Sequence, residues 1–126
     1  MNRIVVSVIV LLLVFGIATF SVISLDASCK TLASSLDEIK KTAEEGDREK
    51  AIELTVNILD VWEREEKKIE LLIDHGEIDE IEKIIKSLPI YARQDNMEKL
   101  EEKSSIAAER VRHIRDKEKV SPQNVF

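Results

Sequence analysis

The sequence predicts an all-α protein, in which an N-terminal transmembrane helix continues into a small antiparallel bundle of about four helices. Residues 4–25 form an uncharged, largely apolar run of 22 residues. Beyond this run, apolar residues recur at steps of three and four, the spacing of a helix face. The composition is 35% charged and 4% aromatic, with three Gly and two Pro, as is typical of long helices rather than sheets. We therefore expect a transmembrane anchor at 1–25, a helical domain at 26–119 and a C-terminal tail at 120–126.

The apolar run is long enough to cross a bilayer. As a helix its 22 residues span about 33 Å, close to the thickness of a hydrocarbon core. A cleaved signal peptide has a shorter apolar region followed by a small-residue site, such as Asp26-Ala27-Ser28 offers. Cys29 after Ala27-Ser28 offers a lipoprotein alternative, but Asp26 stands where a lipidation signal has an aliphatic residue. The sequence favours an uncleaved anchor over a lipoprotein or a secreted form.

Basic residues flank the apolar run on both sides and hardly distinguish the two orientations. Arg3 precedes the run, while Lys30, Lys40 and Lys41 follow it. The short N-terminal tail resembles that of an uncleaved signal-anchor, and a domain-sized C-terminal segment translocates largely regardless of its charges. We expect a single-pass protein of the cell membrane, with a cytoplasmic N-terminus and an extracytoplasmic helical domain.

The anchor helix is predicted to continue into the helical domain, because one apolar stripe follows it at steps of four and three. That stripe comprises Leu25, Cys29, Leu32, Leu36, Ile39 and Ala43. Gly46 predicts the end of this helix and Asp47 the N-cap of the next. The second helix is expected from about Arg48 to His75, with Asp74-His75-Gly76 ending it. Its apolar residues cover more than one stripe, as expected at the centre of a bundle.

A third helix is predicted after Gly76, and its apolar stripe comprises Ile78, Ile81, Ile85 and Leu88. Pro89 is expected to disrupt or restart this helix, because proline lacks a backbone donor and crowds the preceding turn. Tyr91 is expected to pack beyond that break.

A fourth helix is predicted to begin around Gln94-Asp95-Asn96. Its stripe comprises Met97, Leu100, Ser104, Ala107, Val111 and Ile114. The small residues in this stripe permit close approach of another helix. Short connections favour antiparallel neighbours, hence an up-and-down bundle or a pair of packed helical hairpins. The first turn faintly resembles that of a tetratricopeptide repeat, although no 34-residue period accompanies it.

The chain resembles a bacterial membrane-protein family known as domain of unknown function 4363. The resemblance rests on the N-terminal anchor, on Trp62-Glu63 in a long helix, on Leu-Ile-Asp-His-Gly-Glu-Ile-Asp at 72–79, and on the ending Asn-Val-Phe at 124–126. It implies a single N-terminal membrane anchor and a Gram-positive, clostridia-like source. It implies no catalytic residue and no activity.

Four residues are candidates for an interaction or a structural role: Trp62, His75, Tyr91 and Cys29. Trp62 is expected to anchor a core or an interface, with stacking on a ligand as the alternative. Cys29, the only cysteine, is expected to lie on a helix seam. Its alternative is pairing with another chain in an oxidising compartment.

His75 has two interpretations. With Asp74, Glu77 and Asp79, and joined by His113, it supplies side chains that can ligate a metal. A histidine near the end of a helix also bonds free carbonyls and is favoured there by the helix dipole. The sequence favours this structural interpretation. His113 itself lies in a basic segment at 110–115, which we expect to face acidic residues of a neighbouring helix.

The sequence contains no Gly-rich phosphate loop, HExxH, CxxC or nucleophile elbow. We therefore expect no enzyme, no catalytic residue and no cofactor. A net charge of −6 also disfavours nucleic acid as a partner. The expected function is that of a non-enzymatic interaction or scaffolding module at the outer face of the membrane. Its expected partners are the lipid bilayer and another membrane or extracytoplasmic protein or a second copy; the alternative is a bundle that senses a small ligand or a metal.

Overall fold

The computed structural model describes residues 2–124, with side chains through residue 116. It contains four helices within that range and no strand. They are α1 (Arg3–Glu45), α2 (Arg48–Glu70), α3 (His75–Arg93) and α4 (Met97–Asn124). Each helix packs against its neighbours along the chain, and α4 closes the ring against α1. The predicted all-α bundle of antiparallel helices is confirmed.

Helix α1 has two halves with different surroundings. Every residue from 4 to 20 is exposed, whereas the predicted stripe from Leu25 to Ala43 is buried against the other helices. No break separates the halves, so the continuation of the apolar helix into the bundle is confirmed. Of the helices that the structure describes, α1 alone is long and apolar enough to cross a membrane. We call the end of the bundle from which residues 4–24 project the near end, and the opposite end the far end.

The far end is built from two turns of the same design. Gly46 (φ 73°) and Asp95 (φ 56°) both adopt the left-handed conformation. In each turn the backbone N–H groups of this residue and the next bond back to the preceding helix, at 2.9–3.3 Å, which closes the helix end. Asp47 and Asn96 then cap α2 and α4, and each accepts a 3.2 Å bond from the N–H three residues on. The predicted stop at Gly46 and cap at Asp47 are confirmed.

This equivalence extends through the core with an offset of 49 residues. The pairs buried at matching positions are Cys29 and Ile78, Leu32 and Ile81, Leu36 and Ile85, Ile39 and Leu88, Ala43 and Ala92, Ala51 and Leu100, Thr55 and Ser104, Ile58 and Ala107, and Trp62 and Val111. Thr55 and Ser104 even make the same bonds, each from its hydroxyl to the carbonyls three and four residues back. The domain therefore consists of two helical hairpins with the same burial pattern.

The predicted boundary between α2 and α3 is wrong. Helix α2 ends at Glu70 instead of His75, and His75 is the first residue of α3. Gly76 does not adopt the left-handed conformation that would end a helix. Ile73 is instead drawn into the core, so the chain leaves the helix before it and re-enters after Asp74. A buried apolar residue, rather than the glycine, decides where this turn lies.

The predicted disruption at Pro89 is also wrong, because α3 runs through it to Arg93. A proline inside a helix costs about 3 kcal/mol. Leu88 and Ala92 on either side of it are fully buried, and their packing offsets that cost. Tyr91 lies on the same helix, half-buried against the core.

The segment assigned to the tail, 120–126, is helical as far as Asn124. Residues 125 and 126, which belong to the Asn-Val-Phe ending, lie outside the described residues.

We expect Gly46→Ala to lower the free energy of unfolding by about 1 kcal/mol, because a Cβ at a positive φ is strained. Asp95→Gly at the equivalent position is expected to be nearly neutral, since it removes the same strain but enlarges the unfolded ensemble. Chemical denaturation of the full-length protein in a mild detergent measures both. An unchanged midpoint for Gly46→Ala would contradict the account of this turn.

Candidate functional site

A groove of about 570 Å³ lies between α3 and α4 toward the near end. Ile81, Ile106 and Ile114 supply its apolar surface. Its polar lining combines Glu77, Glu109 and Asp116 with Arg110, Arg112 and His113. Because both acidic and basic side chains line the groove, it does not select one sign of charge. It suits a peptide segment or a small molecule that carries both charges.

The groove brings together only part of the predicted histidine cluster. His113 and Glu77 both line it, whereas His75 is exposed and is not part of its lining. Among the residues that the structure describes, no three His, Cys, Asp or Glu side chains are grouped so that they could hold a metal ion. His75 occupies the first turn of α3 and not the end of α2, so the structural role expected for it at the end of α2 does not apply.

Trp62 and Cys29 belong to the packed core. Both are almost completely buried in the hydrophobic cluster that joins the four helices. The indole N–H of Trp62 donates to Glu82 Oε1 on α3 at 3.3 Å, which satisfies the polar edge of a buried ring. Together with half-buried Tyr91 and exposed His75, these residues are spread over the bundle and do not form one site.

A set of polar contacts joins α1 to its two neighbours near the near end. Asp26 Oδ1 accepts from Arg115 Nε at 2.6 Å and Asp26 Oδ2 lies 3.3 Å from Lys30 Nζ. Arg112 pairs with Asp37 in the same interface between α1 and α4. The expectation that the basic segment at 110–115 faces acidic residues of a neighbouring helix is confirmed.

The sequence analysis missed the contact between α1 and α2. The Ser28 hydroxyl donates to Glu65 Oε2 at 2.6 Å, and Lys68 Nζ lies 3.6 Å from the same oxygen. Ser28 is buried and Glu65 half-buried, so this bond fixes how far α2 extends along α1. The local sequence carries no signal for it, because the two residues lie 37 positions apart.

These surroundings move two carboxyl pKa values in opposite directions. Burial would raise the pKa of Asp26, but the hydrogen bonds from Lys30 and Arg115 outweigh it, and the pKa lies below its ordinary value. Burial, and then the negative charges of Glu82 and Glu70, raise the pKa of Glu66. The interface of α1 with α4 therefore pairs opposite charges, whereas around Glu66 burial and the neighbouring carboxylates outweigh the opposing charge of Lys86.

Comparison with known proteins gives a family without an assigned activity. A family model described as a domain of unknown function (DUF4363) matches residues 19–125. The match covers the whole bundle but only the last part of the apolar run. No curated protein and no solved structure matches the chain. The family suggested by the sequence motifs is confirmed.

We expect Asp26→Asn to destabilise the folded protein at neutral pH but not at low pH. The folded-state pKa of Asp26 lies below its unfolded value of 3.8, so its contribution is present above that value and is lost as the pH falls through the folded-state pKa. Denaturation midpoints of the full-length protein in detergent, measured from neutral pH to below 3.8, test this.

Asp60→Asn is the matched control, because Asp60 is an exposed carboxylate on α2. Its midpoint should follow that of the unmodified protein at every pH. A difference for Asp26→Asn that persisted unchanged below the unfolded pKa would show that the effect is not one of charge.

Proposed function

We propose that this chain, which belongs to the DUF4363 family, is a membrane-tethered scaffold that carries out no reaction. Residues 4–25 of α1 cross the bilayer once, and the bundle binds another protein or a second copy of itself at the outer face. The observation that carries the proposal is the two-part character of α1. One continuous helix is exposed along its apolar half and buried along the other.

The exposed half of α1 suits lipid and not water. Its large side chains, including Phe15 and Phe20, are exposed on every face of the helix. Apolar surface left in water costs about 25 cal/mol per Å², and soluble proteins rarely expose a patch of this extent. A bilayer removes that cost, and the helix satisfies its own backbone polar groups there.

The bundle itself is organised for packing. Among the described side chains, every buried nitrogen and oxygen has a hydrogen-bond partner, and Trp62 and Cys29 are part of the core. The surface offers contacts instead: the groove between α3 and α4, and the exposed apolar residues Val56 and Ile90. These features support binding of a protein more than conversion of a substrate.

The groove favours a second candidate function, the sensing of a small molecule. Its apolar floor and its mixed charges, among them Glu109 and Arg110, suit a zwitterionic ligand of modest size. A thermal-shift screen with and without Arg110→Glu tests this candidate: a stabilising compound whose effect Arg110→Glu abolishes would support it. The metal form has weaker support, since the described residues offer no three-ligand group.

We expect the far end of the bundle to be accessible from outside the cell and the N-terminus to be accessible only from inside. Glu44→Cys and Asn2→Cys place a thiol at exposed positions on the two sides of the apolar run. Both are made with Cys29→Ala, which removes the native thiol. A membrane-impermeant maleimide should label Glu44→Cys in intact cells and Asn2→Cys only after lysis. The reverse pattern would place the bundle in the cytoplasm.

We expect the bundle to form a discrete complex in native membranes. A photo-crosslinking residue in place of Ile90 or Val56, each 47% exposed, should give one defined product, either a dimer or a complex with one other protein. The same residue in place of Glu49, at the exposed far end, is the matched control. Monomer alone at all positions, together with a monomeric mass in mild detergent, would contradict the scaffold proposal.

A further inference from the structure

The turn between α2 and α3 exposes two adjacent leucines at the near end. Leu71 is 84% exposed and Leu72 39% exposed. Ile69 and Ile73 beside them are buried in the core, so the turn is fixed in place. Single exposed apolar side chains are common on protein surfaces, whereas adjacent ones form a patch that a protein or a membrane can cover.

The contact between Ser28 and Glu65 sets the height of this turn relative to α1. Helix α2 runs antiparallel to α1, and Ser28 Oγ lies 2.6 Å from Glu65 Oε2. From Glu65 to Leu71 the chain advances about 9 Å, at 1.5 Å per helical residue. The same distance along α1 leads from Ser28 back to Val22. Leu71 therefore lies level with Val22, inside the apolar run that ends at Leu25.

We infer that Leu71 and Leu72 insert into the interface of the bilayer that α1 spans, as a second membrane contact. This inference rests on the proposed membrane anchor and adds to it the orientation of the bundle. Lipid is the occupant that the geometry indicates, because the leucines lie at the level where the apolar helix itself enters the membrane. Burying them there removes apolar surface from water.

The charges around the turn define the kind of contact. Lys67 and Lys68 are exposed in the last turn of α2, about one helical turn from the leucines, where lysine side chains reach lipid phosphates. Glu70 and Asp74 are exposed next to the leucines and oppose attraction to anionic lipid. Burial of the leucine side chains, rather than attraction to anionic lipid, therefore drives the insertion. Insertion is for this reason expected in neutral phosphatidylcholine and should not depend on the salt concentration. With two contacts, the bundle holds one orientation on the membrane surface.

The test uses an environment-sensitive fluorophore at a single thiol in the full-length protein. Leu71→Cys is made with Cys29→Ala, labelled, and reconstituted into phosphatidylcholine vesicles with or without lipid brominated near the headgroup end of its acyl chains. The expected result is a blue-shifted emission, quenched at least twofold by the brominated lipid and protected from aqueous iodide, at low and high salt alike. Circular dichroism confirms that the helices are retained.

Two labelled controls separate the failure of this inference from failure of the anchor. Glu49→Cys carries the label at the exposed far end of the bundle and should be quenched by iodide alone. Phe15→Cys carries it near the middle of the apolar run and should be quenched by phosphatidylcholine brominated near the methyl ends of its acyl chains. A label at Leu71 that behaves like the label at Glu49, while the label at Phe15 is quenched by lipid, overturns the second contact alone. A label at Phe15 that no brominated lipid quenches overturns the anchor. Protection of Leu71 from both quenchers would show a second protein copy on the turn and would also overturn the inference.

Discussion

The structure depends on one helix being compatible with two different surroundings. Residues 4–20 of α1 are exposed and almost entirely apolar, and from Leu25 onward the same helix keeps only one buried stripe. The change occurs without a break in the helix, so the apolar half and the bundle share one continuous helix axis. Every other helix is placed by its contact with the second half of α1 or with a neighbour of α1.

Polar contacts at the near end fix the positions of α2 and α4 along α1. Asp26 bonds to Arg115 of α4, and Ser28 bonds to Glu65 of α2. Both bonds lie within one helical turn of the end of the apolar run. In the proposed arrangement this is the level at which α1 passes from lipid into water. The far end carries the two left-handed turns, whereas the turn between α2 and α3 lies at the near end, together with these polar contacts.

The sequence predicted features that follow from local periodicity and turn chemistry. The stripes of α1, α3 and α4, the stop at Gly46 and the cap at Asp47 needed only helix spacing and backbone preferences. The end of α2 and the passage of α3 through Pro89 were mispredicted, because burial of Ile73 and of Leu88 overrode the local signals of Gly76 and Pro89. The bond between Ser28 and Glu65, and the equivalence of the two hairpins, are properties of packing. Residues as different as Cys29 and Ile78 share a burial position there without resembling one another.

The candidate site was less predictable than the fold. Trp62, Cys29, Tyr91 and His75 were selected by residue type, yet the structure distributes them among the core, its border and the surface. The groove is lined by residues such as Ile106 and Glu109. These residue types are common on helices and do not predict a groove from the sequence. Its position follows from how α3 and α4 approach each other, which spacing along one chain does not specify.

The proposed function requires that a single uninterrupted helix join the membrane to the bundle. Hydrogen–deuterium exchange of the full-length protein in lipid nanodiscs tests it most directly. Amide protection is expected to run continuously through α1, from residue 4 across the junction near Leu25 into the bundle. Rapid exchange around residues 21–28, or unprotected amides throughout the apolar run, would show a hinged or non-inserted segment and would contradict it.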